Sequence, residues 1–343
     1  MKENVKRYYG EILQHSADLK TNACYCSPDK MSPDVKLAMS EIAAEIKDRF
    51  YGCGSPIPSD LDGRTVLDLG CGSGRDVYIL SKLVGENGLS IGIDMTENQL
   101  EVAQKYESEQ MAKFGYSKSN VQFKLGYIED LKAMDIADNS IDIVISNCVI
   151  NLSPDKKSVF QEIFRVLKPG GELYFSDVFA NKRIPAHIAN DVVMQGECLG
   201  GAMYVEDFRR LMTEVGCADY RVTEQAPITI NNPEIEAEVG LIEFMSLTVR
   251  AFKLDLEDRC EDFGQVAVYK GTIPNYPHYF ELDDHHKFVT GKPMLVCGNT
   301  ADMISKTRFA KHFTLQGEKS VHYGLFDCTP PSDNNNSASA CGC

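Results

Sequence analysis

The chain has 343 residues, a formal net charge of −15 and twelve cysteines. A chain of this length can bury a hydrophobic core without a disulfide scaffold, so each cysteine needs its own explanation. The negative charge, with no cluster of Lys and Arg, excludes nucleic acid as a partner, and no apolar run approaches the roughly 20 residues that span a bilayer. The N-terminus has no apolar signal segment. We expect a cytoplasmic, monomeric protein that acts on small molecules and has no membrane partner.

The first 50 residues follow a helical pattern. Apolar residues recur every three or four positions after Ser32, which suits a helix N-cap because a proline follows it. This predicts one helix from Ser32 to Phe50, and two cysteines, Cys24 and Cys26, precede it. We interpret residues 1–50 as a helical cover.

Strands and helices alternate over residues 51–254. Helices are predicted over 97–114, 156–167 and 205–216. The strands are expected in short apolar runs at residues 64–70, 89–94, 121–126, 141–147 and 171–178, with two more near Val222 and Val249. This alternation predicts an α/β fold, with a Rossmann-like, mostly parallel sheet covered on both faces.

The alternation stops after residue 254. Residues 255–328 are predicted to form a small α+β C-terminal domain. Residues 329–343 are polar, of low complexity and expected to be disordered, and they end on Cys341 and Cys343. These two thiols could capture a ligand or have no function.

The strongest chemical signal is VLDLGCGSGRD, where the first strand runs into a glycine turn. Gly70, Gly72 and Gly74 alternate, but Arg75 stands where a dinucleotide-binding fingerprint has its third glycine. Such a turn brings the backbone close to a nucleoside without requiring a pyrophosphate. Asp94 ends the second strand, where its carboxylate can accept hydrogen bonds from ribose hydroxyls. The ligand is then expected at the carboxyl ends of the strands.

DLGCGSG, Asp94 and the later GYIED resemble the class I S-adenosylmethionine-dependent methyltransferases. The resemblance implies S-adenosylmethionine as the methyl donor, with Asp68 and the glycines holding its methionyl part, Asp94 and Met95 its ribose and adenine, and Ile128 and Glu129 the adenine edge. The full set of implied cofactor residues is Tyr51, Asp68, Gly70, Gly72, Gly74, Arg75, Asp94, Met95, Ile128, Glu129 and Asn147. The alternative is an α/β fold that binds another ligand at the same turn.

No histidine is well placed to act as a general base. His15 and His187 stand apart, and the other five lie between His278 and His322. A transfer to oxygen or carbon usually needs such a base.

Three cysteines lie near the expected site instead. Cys53 precedes the first strand, Cys148 ends the fourth and Cys198 follows the fifth. Each alone is more often a buried structural residue. Zinc fits poorly because the chain has no CxxC pair. A soft centre that binds three thiolates and keeps a lone pair fits better.

The motifs DLKTNACY, YGCGSPIP, ISNCVINLS, VLKPGGELYFSDV and GECLGGAMY narrow the resemblance to the arsenite S-adenosylmethionine methyltransferases. It implies that Cys148 and Cys198 hold As(III), that Cys53 supplies a third thiol and that Cys24 is its redox partner. Cys26 and Cys71 are interpreted as structural. The implied substrates are arsenite and methylarsenite.

This family assignment explains the missing base, because the lone pair of arsenic attacks the methyl group and no proton is removed. We expect a Cys24–Cys53 disulfide to form during turnover and to be reopened by thioredoxin or glutathione. Two alternatives stay open: a C- or O-methyltransferase with incidental cysteines, and a non-catalytic arsenic-binding protein.

Overall fold

The computed structural model describes residues 31–49 and 56–328. The described part of the N-terminal segment forms helices α1 (Pro33–Glu41) and α2 (Ala44–Asp48). The prediction of one continuous helix here was wrong, because Gln110 interrupts it. Its side chain accepts a hydrogen bond from the Ala43 N–H at 3.1 Å and donates to the Glu41 carbonyl at 3.2 Å. A tertiary contact therefore replaces two intrahelical bonds.

A large twisted sheet forms the centre of the molecule. Its strands are β1 (Thr65–Leu69), β2 (Leu89–Asp94), β3 (Val121–Leu125), β4 (Ile141–Asn147), β5 (Leu167–Ala180), β6 (Met203–Tyr204), β7 (Tyr220–Pro227) and β8 (Phe244–Phe252). Their order is β3-β2-β1-β4-β5-β8-β7, with β6 paired to β5. β8 is antiparallel to β5 and β7, and the other pairs are parallel. The predicted mostly parallel α/β fold is confirmed.

Helices cover both faces of this sheet. They are α3 (Arg75–Val84), α4 (Glu97–Lys105), α5 (Glu107–Phe114), α6 (Lys156–Val166), α7 (Ala186–Ala189), α8 (Val192–Gly196), α9 (Val205–Glu214) and α10 (Pro233–Val239), with 3₁₀ turns at Leu131–Met134 and Ile150–Leu152. The single helix predicted over 97–114 is broken at Tyr106, whose hydroxyl donates to Glu45 at 2.6 Å. The ends of the other predicted helices agree with the structure to within two residues.

β5 begins earlier than the predicted residue 171. The Pro169–Gly170 pair, typical of a turn, lies inside an irregularity of the strand. Leu167 pairs with Ile141 before the bulge and Glu172 pairs with Ile143 after it. Gly170 takes a positive φ of 76° there, which glycine tolerates.

The C-terminal region contains small antiparallel sheets, as the predicted α+β domain requires. Its elements are β9 (Glu261–Asp262), β10 (Gln265–Tyr269), β11 (Tyr279–Glu281), β12 (Lys287–Val289), β13 (Pro293–Val296), α11 (Gly298–Ser305), a 3₁₀ turn (Arg308–His312), β14 (Phe313–Gln316) and β15 (Gly324–Leu325). They form the sheets β13-β10-β14, β11-β12 and β15-β9. Arg308 and Arg250 both pair with the fully buried Glu172, which joins this region to the central sheet.

The predicted domain boundaries at residues 50, 254 and 328 stay predictions, as do the monomeric state and the cytoplasmic location. The tail over 329–343 lies outside the described residues. Within the described ranges, no helix has the length and apolar character needed to cross a bilayer.

Candidate active site

The glycine turn after β1 has the backbone shape that its sequence predicts. Gly70, Gly72 and Gly74 have φ values of 73°, 51° and 85°, in the left-handed region. A side chain at Gly70 would also overlap Val149, because an added Cβ would lie 2.5 Å from its methyl carbons. The turn therefore needs glycine for conformation and for space.

Asp94 holds this turn in place from the end of β2. One carboxylate oxygen accepts the Gly72 N–H at 2.9 Å, and the other accepts the Thr96 N–H at 2.8 Å. The Thr96 side chain and the Met95 N–H also donate to this carboxylate. Burial raises the pKa of Asp94, although all these donors act in the opposite direction.

A pocket opens at the carboxyl ends of β1, β2 and β4. The predicted cofactor residues that line it are Asp68, Gly70, Gly72, Asp94, Met95, Ile128, Glu129 and Asn147. Gly74 and Arg75 do not line it. Gly74 is the N-cap of α3 and packs near Phe123, while Arg75 is buried and its Nε donates to Asp76 at 2.7 Å. Tyr51 lies outside the described residues.

Sequence reasoning missed several pocket residues. They are Arg49, Cys71, Ser73, Asp76, Thr96, Gln99, Gly126, Tyr127, Val149, Leu152 and Ser153. Most of them are next in sequence to a residue that was predicted, so they could have been found from the same motifs. Arg49 had no such signal, because only tertiary folding brings α2 to the pocket.

Three acidic side chains, those of Asp68, Asp76 and Asp94, line the pocket beside the glycine turn. Burial raises the pKa of Asp68 well above its ordinary value, and the nearby carboxylates of Asp76 and Asp94 raise it further. A cationic ligand would relieve this repulsion. S-adenosylmethionine carries a sulfonium and an ammonium group, so the charge of the pocket fits it.

Cys148 and Cys198 meet at the edge of this pocket. Cys148 lines the pocket directly after β4, and the Cys198 thiol donates to the Cys148 carbonyl at 3.7 Å. Both residues have positive φ values, 57° and 62°. Non-glycine residues rarely adopt this conformation, which costs of order 1–3 kcal/mol and is concentrated at functional sites. Two cysteines 50 positions apart are thus held together by strained backbone.

The two sulfurs differ in chemical state. Cys148 is disulfide-bonded, whereas Cys198 is a fully buried thiol. The remaining predicted thiols, Cys53 and Cys24, lie outside the described residues, as do Cys26, Cys341 and Cys343. Their predicted roles stay predictions.

The loop that carries Cys198 is built from short local contacts. Asp191 caps α8 by accepting the Met194 N–H at 2.9 Å. Gly201 lies so close to the segment after β4 that an added Cβ would be 2.0 Å from the Asn151 carbonyl oxygen. Glycine at this position therefore lets the cysteine loop approach the end of β4.

A buried carboxylate supports the same junction. Asp177 accepts N–H groups from Asn151 at 3.0 Å and from Val178 at 2.9 Å. Burial raises the pKa of Asp177 to about 7 despite these donors. The group touches the segment after Cys148 but does not line the pocket.

The surroundings of the two cysteines are apolar. Cys148 and Cys198 belong to one buried cluster with Val178, Ala180, Ile188, Met194, Leu199, Ala202, Ile235, Val239 and Phe244. No histidine lines the described part of the pocket. Cys71 faces the pocket too, but burial and the nearby Asp94 raise the pKa of its thiol, so it stays protonated.

Comparisons with known proteins agree with this geometry. A family model described as a methyltransferase domain matches residues 60–216, and the arsenite methyltransferase C-terminal domain model matches residues 263–337. An arsenite methyltransferase of Aquipseudomonas alcaligenes is 50% identical over 95% of this chain and 94% of its own length. That of Homo sapiens is 43% identical over 93% of this chain and 85% of its own.

A solved structure is also similar over most of the chain. It is an arsenic(III) S-adenosylmethionine methyltransferase from Chlamydomonas reinhardtii, with 51% identity and a TM-score of 0.84, covering 87% of this chain and all of that one. The relatives that match nearly the whole length are all named as arsenic methyltransferases. This does not favour the alternative of a C- or O-methyltransferase. The chain therefore belongs to the arsenite methyltransferase family, which confirms the resemblance found in its sequence.

Proposed function

We propose that this chain transfers methyl groups from S-adenosylmethionine to trivalent arsenic held by Cys148 and Cys198. The observation that supports this most is the position of Cys148. It lies at the edge of a pocket shaped for a nucleoside, and the Cys198 thiol lies against its backbone. A ligand bound to these sulfurs would lie next to the methyl donor.

The residues of the pocket fit the proposed donor. Asp94 can accept hydrogen bonds from ribose hydroxyls, and Asp68 can pair with the ammonium group. Ile128 offers an apolar face to the adenine, and the glycine turn leaves room for the methionyl chain. S-adenosylmethionine supplies a methyl group bonded to a positively charged sulfur.

Once both cysteines are reduced, arsenic capture would require no further redox change. Each thiol replaces one hydroxide of arsenite, forming an As–S bond and releasing one water. The arsenic lone pair then forms a bond to the methyl carbon while the carbon–sulfur bond of the donor breaks. The apolar cluster around Cys148 and Cys198 excludes water from this reaction, and alignment by the protein can contribute roughly 7–11 kcal/mol.

The reaction would also need a thiol reductant. Methyl transfer makes arsenic formally pentavalent, and two thiolates must return two electrons to it, forming one disulfide. Cys24 and Cys53 are our candidates for that pair, with thioredoxin or glutathione reopening the bond. Cys148 adds a second requirement, because its disulfide must be reduced before its sulfur can bind arsenic.

The test compares arsenic products of matched variants. The parent chain, Cys198→Ser and Cys217→Ser are incubated with arsenite, S-adenosylmethionine and a reductant, and the arsenic species are separated by chromatography with mass detection. Cys217 is a suitable control because it is also buried but belongs to a different hydrophobic cluster from Cys148 and Cys198. We expect methylated arsenicals from the parent and Cys217→Ser, and none from Cys198→Ser.

Either of two results would contradict the proposal. Full activity of the Cys198→Ser variant would show that arsenic is not held by these two cysteines during methyl transfer. Arsenic binding without methylation by a folded parent that binds S-adenosylmethionine would support the non-catalytic alternative instead.

A further inference from the structure

Three cysteines that the proposed reaction does not use lie together in the C-terminal region. The sulfurs of Cys260, Cys297 and Cys328 all lie within 4.8 Å of one another. All three are free thiols. Cys297 is fully buried, while Cys260 and Cys328 are half-buried, so the cluster has one face toward solvent.

The fold brings these thiols together from three separate segments. Cys260 directly precedes β9, and its carbonyl accepts the Phe326 N–H at 2.8 Å. The pairing of β9 with β15 therefore places Cys328, two residues further on, beside Cys260. Cys297 is the N-cap of α11 and accepts the Thr300 N–H at 3.4 Å.

Polar groups surround the Cys297 sulfur. The N-terminus of α11 adds a favourable dipole at the same sulfur. Arg221 is itself buried and lies 3.3 Å from the Thr300 hydroxyl, which contacts the Cys297 sulfur at 3.2 Å.

We propose that Cys260, Cys297 and Cys328 form a second binding site for inorganic trivalent arsenic, separate from Cys148 and Cys198. This inference extends the proposed function, since it assumes that the chain meets arsenite. Arsenite exchanges three hydroxides for three thiols and releases three waters, with no change of oxidation state. The tris-thiolate product is electrically neutral.

The donor set favours arsenic over zinc. Zinc in structural sites takes four ligands. Among the described residues, no fourth Cys, His, Asp or Glu atom lies within 4.8 Å of all three sulfurs. The local charge also favours arsenic. Arg221 already pairs with Asp219 at 2.6 Å and with Asp283 at 3.3 Å. Its charge is therefore balanced, and a neutral arsenic complex adds no further negative charge there.

The same chemistry predicts which arsenicals the site accepts. Methylarsenite has two exchangeable groups and dimethylarsenite has one, so neither can engage all three thiols. The site should therefore hold the unmethylated substrate and release the methylated products. Arsenic bound to the three sulfurs would link the start of β9, the N-terminus of α11 and the segment after β15.

The test uses the full chain with Cys148→Ser and Cys198→Ser, so that the active-site pair is absent. This protein is reduced, exposed to sodium arsenite, desalted and assayed for arsenic per chain by mass spectrometry. The number of As–S bonds is measured by X-ray absorption. We expect bound arsenic with three sulfur neighbours, and the loss of one equivalent when Cys297→Ser is added.

Controls separate binding from misfolding. Cys217→Ser, added to the same background, should keep the full equivalent. Cys260→Ser and Cys328→Ser alter half-exposed positions and should each lower the sulfur count, with circular dichroism confirming the fold. Sodium arsenite should be retained through desalting, whereas dimethylarsenite should not.

Three results would overturn this inference. They are unchanged arsenic content and sulfur count in the Cys297→Ser protein, stoichiometric zinc in the purified chain that disappears with Cys297→Ser, or a disulfide among the three cysteines that persists under reduction. Binding is measured without turnover. A chain that binds arsenic here but makes no methylated product would contradict the proposed function alone.

Discussion

Replacing Asp94 with asparagine should weaken binding of S-adenosylmethionine without unfolding the protein. The carboxylate oxygens of Asp94 accept the Gly72 and Thr96 N–H groups, and we assign the same carboxylate to the ribose hydroxyls. Asparagine turns one oxygen into an NH₂ group that faces an N–H donor. One ribose hydrogen bond to a charged acceptor is lost, which is worth about 1.5–3 kcal/mol or roughly a 10- to 150-fold increase in Kd.

The assay is isothermal titration of S-adenosylmethionine into the parent and Asp94→Asn. Glu97→Gln is the matched control, because it removes the same charge from an exposed position three residues away. Its Kd should stay within about twofold of the parent, as surface substitutions usually change free energies by less than about 0.5 kcal/mol. A Kd for Asp94→Asn that equals the parent value, in a protein with unchanged thermal unfolding, would refute the assignment of Asp94 to the ribose.

Three further predictions concern residues around the site and at the junction with the C-terminal region. Gly201→Ala should cost about 1–3 kcal/mol of stability and reduce arsenic methylation, because its Cβ would overlap the Asn151 carbonyl; unchanged activity would show that the loop adapts. Asp177 keeps its proton in the folded state up to a pKa of about 7 but loses it near 3.9 when unfolded, so its contribution to stability falls as the pH rises from about 4 to 7. Urea unfolding should show the parent losing at most about 4 kcal/mol relative to Asp177→Asn across that range, and parallel curves would contradict it. Glu172→Gln should cost about 3–5 kcal/mol by leaving two buried arginines without a carboxylate, whereas Glu214→Gln, in an exposed pair, should cost less than about 1 kcal/mol; equal costs would contradict this account of how the C-terminal region docks.

The place of the pocket could be predicted from the sequence, because several local signals coincide there. Alternating glycines after an apolar run predict the turn, and Asp94 at the end of the next strand predicts its partner. The carboxyl ends of parallel strands must meet at one edge of the sheet, so the pocket could be placed without coordinates. Gly74 and Arg75 belong to the same motif, yet Gly74 packs near Phe123, Arg75 pairs with Asp76, and neither lines the pocket.

Features that depend on distant contacts could not be predicted. Gln110 breaks the N-terminal helix from 67 positions away, and α2 brings Arg49 to the pocket. The cluster of Cys260, Cys297 and Cys328 depends on the pairing of two-residue strands, which have no periodic pattern in the sequence. The positions of Cys148 and Cys198 near one site were expected from their places after the strands, and the family resemblance implied that they act as a pair. Their positive φ values could not be predicted from the sequence.

The most direct test of methyl transfer to arsenic uses S-adenosylmethionine with a deuterated methyl group. The reduced chain is mixed with arsenite and a thiol reductant, and both products are quantified by mass spectrometry. The account predicts methylated arsenic carrying three deuterium atoms per methyl group, with one S-adenosylhomocysteine formed for each methyl transferred. Consumption of the donor without deuterated arsenic, or no consumption by a chain that binds both ligands, would contradict it.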